Sequence, residues 1–379
     1  MLRICAKMKL DSWQSPHARK MKYIFSSQEK LVLDEPRMKL IKTTEAVGHV
    51  LCHDITQIIK DIKKGPAFRK GHTVTQEDIP VLLSMGKDNL YVWEKQEGML
   101  HENEAAEILR TICMNENMAA SEVKEGKIEL FSTSDGLFKV DTQRLNRINA
   151  LGDIIIATRH GNTPVKKGDK LSGMRVIPLV IEQEKMNKAV AESGGKPIMQ
   201  VLPFIHRNAG IVITGNEVYH KRIPDAFGPV IEAKLSVYDV DILGKTFIDD
   251  NAARITSAIT EHIGNGADII ICTGGMSVDP DDTTPTAIKN TGAMLVTYGA
   301  PVLPGAMFLL AYYEDAEKTI PILGLPGCVM YAKRTIFDIV LPRIMAGEKL
   351  KAGDLTRLGE GGLCMDCPVC TYPVCGFGK

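Results

Sequence analysis

Four short apolar runs constrain this chain most: AGIVITG at 209–215, DVDIL at 239–243, DIIICTGG at 268–275 and TIPILGLPG at 319–327. Segments of helical period separate them. Residues 226–238 place Phe227, Val230, Ile231, Leu235 and Tyr238 on one helical face, and residues 251–263 do the same with Ile255, Ala258, Ile259 and Ile263. Apolar strands alternating with amphipathic helices predict an α/β fold, a three-layer domain with a mostly parallel sheet and helices on both faces. Ligands of such a sheet bind outside the carboxyl ends of its strands.

Three of the four runs end in glycine turns: Thr214-Gly215-Asn216-Glu217, Thr273-Gly274-Gly275-Met276-Ser277 and Leu325-Pro326-Gly327-Cys328. Glycine lets backbone approach a ligand closely, and the exposed amides of a following helix start can seat an anion. Acidic residues crowd the same turns: Glu217, then Asp249 and Asp250, then Asp279, Asp281 and Asp282. So much negative charge at one sheet edge is repulsive alone. A divalent cation would neutralise it, and Mg²⁺ prefers carboxylate oxygens together with substrate phosphates. The plain alternative is that these aspartates cap helices or solvate loops.

Composition narrows the partners. Lys and Arg number 46 against 46 Asp and Glu, so no general basic field draws the chain to nucleic acid. No apolar run is long enough to suggest a membrane span, and the first residues lack a secretory core, which predicts a cytoplasmic protein.

The string TGGMSVDPDDTTPTAI at 273–288, with ITGNEV at 213–218, PVLPGAMF at 301–308 and GLPGCVM at 324–330, resembles the molybdopterin-binding domain family. Two enzyme groups share that domain, the molybdopterin molybdenumtransferases and the molybdopterin adenylyltransferases. The additional domains before it make this chain more similar to the first. The resemblance implies that Asp282, Asp250 and Glu217 are catalytic. It implies that Thr214, Gly215, Thr273, Gly274, Gly275, Ser277, Pro326 and Gly327 hold the pterin phosphate or pyrophosphate. Mg²⁺ would sit on Asp282, Glu217 and Asp249 while molybdate displaces AMP from adenylylated molybdopterin. It also implies a homodimer and a molybdoenzyme acceptor for the product.

Two departures keep other readings open. Pro304-Gly305-Ala306-Met307 stands where the molybdenumtransferases carry a lysine in a PGKP motif, and Cys328 stands where asparagine is usual. One alternative is adenylyl transfer from ATP to molybdopterin. Another is a carrier or sensor that binds molybdopterin and catalyses nothing.

With 379 residues, the chain is long enough for several compact units. Residues 1–37 show no sustained period and read as a disordered tail or an upstream start. Residues 38–120 read as an α+β domain, with a helix capped near Thr75 and another over 101–120. Residues 121–204 read as a strand-rich domain with turns at Asp135-Gly136 and Lys167-Gly168-Asp169, ending in a hinge at Gly194-Gly195-Lys196-Pro197. The α/β domain spans 205–346, and 347–379 forms a cysteine-rich tail.

Of nine cysteines, Cys364, Cys367, Cys370 and Cys375 crowd that tail as Cys-x2-Cys-x2-Cys-x4-Cys. Such spacing suits four thiolates on Zn²⁺ or an iron–sulfur cluster, with ordinary reduced thiols as the alternative. His160, Arg159, Arg175 and His206 are possible ligand contacts, more simply read as structural.

Overall fold

The computed structural model describes residues 38–59, 63–93, 97–277, 279, 282–315 and 318–379. The expected tail at 1–37 lies outside them. Two units divide the chain, 1–95 and 96–379.

In the first unit, strand Asn89–Trp93 lies between Met38–Lys42 and Val50–Leu51. A hairpin of Ile55–Ile59 and Lys63–Phe68 and a helix at Asp78–Ser84 complete it. Leu51, Ile55, Val74, Leu82, Leu90 and Val92 form its core. Thr75 lies before the helix, its amide and hydroxyl both donating to Asp78 Oδ2 at 2.8 Å.

The second unit begins earlier than the boundary expected at 120. Helix Glu102–Cys113 buries Ala105, Ala106, Leu109 and Ile112 in one core with Ile128, Leu130, Phe138, Ile156 and Val201. Its apolar face thus matches the strands that follow it, and it is shorter than the expected 101–120 because Met118–Ala120 turns to strand. Two sheets cover this core, one ordered 154–158, 170–176, 128–132, 118–120 and one ordered 163–165, 136–140, 199–202. The expected hinge is a helix stop instead. Gly194 takes φ +63° as the left-handed cap of Gln183–Ser193, and Ile198, Met199 and Val201 just beyond it are buried in the same core.

The six-stranded sheet of the second unit runs in the order Asp241–Ile248, Asn208–Thr214, Ile269–Thr273, Thr319–Leu325, Leu309–Glu314, Met294–Tyr298. The first four pair in parallel. Leu309–Glu314 alone is reversed, antiparallel to both neighbours. The edge strand starts at Asp241 rather than 239 because Asp239, at φ +57°, still belongs to the preceding turn.

Alternate strand residues enter different cores, as the two-residue period of a strand requires. Ile211, Ile213, Ile271 and Leu323 pack with Ile231 and Leu235 of helix Gly228–Leu235 and with Phe337 and Ile344 of helix Ile336–Met345. Val212, Ile270, Cys272 and Ile322 pack instead with Ile255 and Ile259 of helix Ala252–Gly264 and Ile288 of helix Thr284–Asn290. Each fully buried Ile or Leu side chain contributes about 1.5–3 kcal/mol. The fold is α/β with a mostly parallel sheet.

Residues 347–379 are not a tail. Leu350, Leu355 and Phe377 are buried in the first of these two cores, Leu303 and Leu363 form a parallel bridge, and the Tyr372 hydroxyl donates to the Asp338 carbonyl at 2.8 Å. Among the described residues, no helix is long and apolar enough to cross a membrane.

Candidate functional site

Strand register brings the turns together. Thr214 pairs with Ile248, Ile213 with Thr273, and Thr273 with Leu325, so four parallel strands end side by side. At this rim Gly274 has φ +82°, and a Cβ there would stand 2.1 Å from the Thr214 carbonyl oxygen. A side chain at Gly275, φ +53°, would meet Thr284 Oγ1 at 2.9 Å. Glycine is therefore required where the second turn crosses the end of its neighbouring strand. Gly327 is different, with open space around it, while Pro326 before it is buried.

Hydroxyls hold the second turn in place. Thr284 Oγ1 donates to the Gly274 carbonyl at 2.9 Å. With its single proton used there, Thr284 must accept from the Thr214 hydroxyl 3.1 Å away. Thr283 Oγ1 donates to the Asp250 carbonyl at 2.9 Å, and the Tyr298 hydroxyl faces the carbonyls of Met276 and Ser277 at 2.9 and 3.0 Å. Thr273 Oγ1 is buried and has no hydrogen-bond partner among the described residues. Ser277 is exposed.

The carboxylates share one electrostatic neighbourhood. Asp250 Oδ2 accepts from the Asn216 amide at 3.0 Å, tying the turn after Asp241–Ile248 to the turn after Asn208–Thr214. Burial pushes the Asp250 carboxyl above its ordinary range, and the charges of Glu217, Asp282 and Asp249 push it the same way, against the Asn216 amide. Glu217 is exposed, and the other three are partly buried. Asp282 Oδ2 and Asp249 Oδ1 are buried and unpartnered among the described residues. Asp281 lies outside them.

The expected magnesium set of Asp282, Glu217 and Asp249 is not assembled as three ligands. Among the described residues, no three Asp, Glu, His or Cys side chains stand close enough to hold one ion. Asp249 is already neutralised: Arg254 Nη1 donates to its Oδ2 at 2.7 Å, and Arg254 Nη2 donates to the Tyr219 hydroxyl at 3.0 Å. The orphaned oxygen of Asp282 and the glycine cradle beside it still fit Mg²⁺ held by one or two carboxylates together with phosphate oxygens.

Several residues of this site escaped the sequence reading. Thr283 and Thr284 follow the acidic pair in DDTTP, where hydroxyl-bearing residues commonly bond nearby backbone, and that signal could have found them. Arg254 and Tyr298 carry no local signal, because only the sheet order brings them to the rim. Cys272 is a core thiol pushed up to about 12 by burial. The four clustered cysteines line a second cavity of about 460 Å³. His206 lies 3.6 Å from Asp268, and Arg159 pairs with Asp169 at 3.0 Å, both structural contacts. His160 supplies a carbonyl to Thr163 Oγ1 at 2.8 Å, and Arg175 approaches Glu102 at 3.9 Å.

Residues 210–346 match the family model described as "probable molybdopterin binding domain", and residues 40–94 match a domain of unknown function. A molybdenum cofactor biosynthesis bifunctional protein of Synechococcus elongatus is 33% identical over 88 residues, 23% of this chain and 28% of that protein. A CinA-like protein of Mycolicibacterium vanbaalenii is 37% identical over 76 residues, 20% of this chain and 18% of that protein. The chain thus spans less than a third of either relative. The tungsten cofactor synthesizing protein MoaB from Pyrococcus furiosus aligns at 17% identity and a TM-score of 0.32, covering 39% of this chain and 98% of that one. By sequence, residues 210–346, about a third of the chain, match the molybdopterin-binding family.

Proposed function

We propose that the rim binds adenylylated molybdopterin and that the protein inserts molybdate into it with release of AMP, late in molybdenum cofactor assembly. The observation that carries this reading is the meeting of Glu217, Asp250 and Asp282 with the Gly274-Gly275 turn at the ends of adjacent parallel strands. The layering, with separate cores on the two sheet faces, supports the same three-layer domain type.

Thr214, Gly215, Thr273, Gly274, Gly275 and Ser277 seat the pyrophosphate, Thr273 offering its unpartnered hydroxyl and the glycines their close-lying backbone. Pro326 and Gly327 form the neighbouring wall. Asp282 and Glu217 would hold Mg²⁺, which would neutralise charge on the phosphate oxygens when bound. Asp250 positions the first turn through Asn216. A molybdate oxygen bonds to the pterin-side phosphorus as the phosphoanhydride to AMP breaks, and AMP leaves with the bridging oxygen and the electron pair. A homodimer and a molybdoenzyme acceptor belong to the same reading.

Asp282→Ala removes the unpartnered carboxylate and should abolish Mg²⁺-dependent AMP release from adenylylated molybdopterin in the presence of molybdate. Unchanged AMP release overturns the assignment. Pyrophosphate formed from ATP and molybdopterin would show adenylyl transfer instead. The absence of a lysine from Pro304-Gly305-Ala306-Met307 favours one further reading, a non-catalytic pterin carrier, whose signature is tight molybdopterin binding with no AMP released by the unmodified protein.

A further inference from the structure

The residues after 360 help to close a cavity that the rim chemistry does not use. Cys364, Cys367, Cys370 and Cys375 line it, but they are not gathered for the Zn²⁺ or iron–sulfur cluster that their spacing suggests: among the described residues, no three potential ligands stand close enough to share an ion. The lining offers apolar surface beside cationic charge instead. Its volume of about 460 Å³ falls within the roughly 300–1,000 Å³ of small-molecule sites. We propose that this cavity binds a small aromatic acid carrying one negative charge.

The apolar surface is left in water. Tyr331, Leu363 and Met365 line the cavity, yet they are 79%, 61% and 75% exposed. A ring seated among them covers surface that the fold itself does not. The Met365 thioether favours an aromatic guest over an aliphatic one, because a polarizable sulfur pairs well with a ring edge. The walls are fixed before any guest arrives. The Cys364 amide donates to the Leu303 carbonyl at 2.8 Å, the Tyr372 hydroxyl donates to the Asp338 carbonyl at 2.8 Å, and Phe377 is buried in the main core.

Charge decides the sign of the guest. Lys333, Arg334 and Asp366 line the cavity. Arg334 Nη1 donates to Asp338 Oδ1 at 2.8 Å and Lys234 Nζ donates to the same oxygen at 2.6 Å, so two cations share one carboxylate. Lys333 Nζ donates to the Cys367 and Pro368 carbonyls at 3.2 and 3.4 Å and has no carboxylate partner among the described residues. Lys234, Lys333 and Arg334 thus stand against Asp338 and Asp366, which leaves one positive charge in excess. A carboxylate or sulfonate on the guest gives Lys333 its missing partner through a charge-assisted hydrogen bond.

The test titrates the full chain with anilinonaphthalene sulfonate, an aromatic monoanion, and with uncharged phenylnaphthylamine, following the fluorescence of each. One anionic probe per chain is expected. Iodoacetamide labelling with peptide mass spectrometry locates it: saturating probe should slow alkylation of Cys367 and Cys370 severalfold and leave Cys328, in the third rim turn, unchanged. Lys333→Gln, at an exposed position, should weaken the anionic probe by about tenfold and leave the neutral probe as it was. Met365→Gln, also exposed, should weaken both probes while keeping the circular dichroism and thermal midpoint of the parent. No saturable binding of the anionic probe, protection of Cys328 without Cys367 and Cys370, or a Lys333→Gln variant that treats the two probes alike would each overturn the proposal.

Discussion

The Asn216 amide and Asp250 Oδ2 meet at 3.0 Å, so a carboxylate surrounded by other carboxylates also serves as the clasp between two turns. Its carboxyl is raised by burial and by Glu217, Asp282 and Asp249. A raised acid contributes stability that is full below its unfolded value and lost as pH rises through its folded value. Asp250→Asn keeps an acceptor for Asn216 and removes that loss. The variant should match the parent in acid and gain on it as pH rises to neutral, by up to about 1 kcal/mol after screening. Urea midpoints across the acidic range measure the gap, and a gap that narrows on raising pH would contradict it.

Thr273→Val replaces a buried hydroxyl that has no partner among the described residues. Removing an unsatisfied polar group is neutral or stabilising, by about 1 kcal/mol. Pterin binding should nonetheless weaken, because the hydroxyl is then missing from the phosphate seat. Chemical denaturation and ligand titration of the same preparation should move in opposite directions.

At Gly274 an added methyl would meet the Thr214 carbonyl at 2.1 Å from a backbone at φ +82°. Gly274→Ala should cost roughly 2–4 kcal/mol, from strain and from displacement of the neighbouring strand end. Gly264→Ala is the control, since nothing lies within 4 Å of a Cβ there and the residue is helical. Only the first should lower the urea midpoint.

Glu348 holds two parts of the second unit together, accepting from Arg343 Nη2 at 2.7 Å and from Lys139 Nζ at 2.9 Å. Burial alone would raise its carboxyl, but Arg343 and Lys139 more than offset this and hold it below the ordinary value. Glu348→Gln leaves the buried Arg343 with only the more distant Asp354, 3.6 Å away, as counter-charge and should cost roughly 2 kcal/mol at neutral pH. The stability tied to a depressed acid is present above the unfolded value and lost as pH falls through the folded one. The difference between parent and variant should therefore shrink on acidification, as followed by urea midpoints.

The parallel strands and the three glycine turns were legible because each combines an apolar run with a local stop. Helix 251–263 was placed within a residue, with Ile255, Ala258 and Ile259 buried as read. Strand Leu309–Glu314 was missed, since LLAYYE has no alternation to separate it from buried helix, and Met294–Tyr298 has its apolar residues exposed at the edge. Helix Glu102–Cys113 was assigned to the wrong neighbour because amphipathicity reveals a face but not what covers it. Arg254 spoils the magnesium set for a similar reason: its pairing with Asp249 depends on a helix turn brought back against a strand end.

The single reversed strand has a topological consequence. Tyr298 ends one edge strand and Leu309 begins the next, and Leu309 is paired with Gly324 at the carboxyl rim. The hairpin loop between them, which contains Pro304-Gly305-Ala306-Met307, therefore opens toward the carboxyl rim of the parallel strands without needing a crossover helix. Through Leu303 the same loop bridges to Leu363, and Pro304 lines the cysteine cavity. Changes of composition in this hairpin can retune the mouth of the sheet and its cysteine annex while leaving the parallel strands and their connecting helices undisturbed.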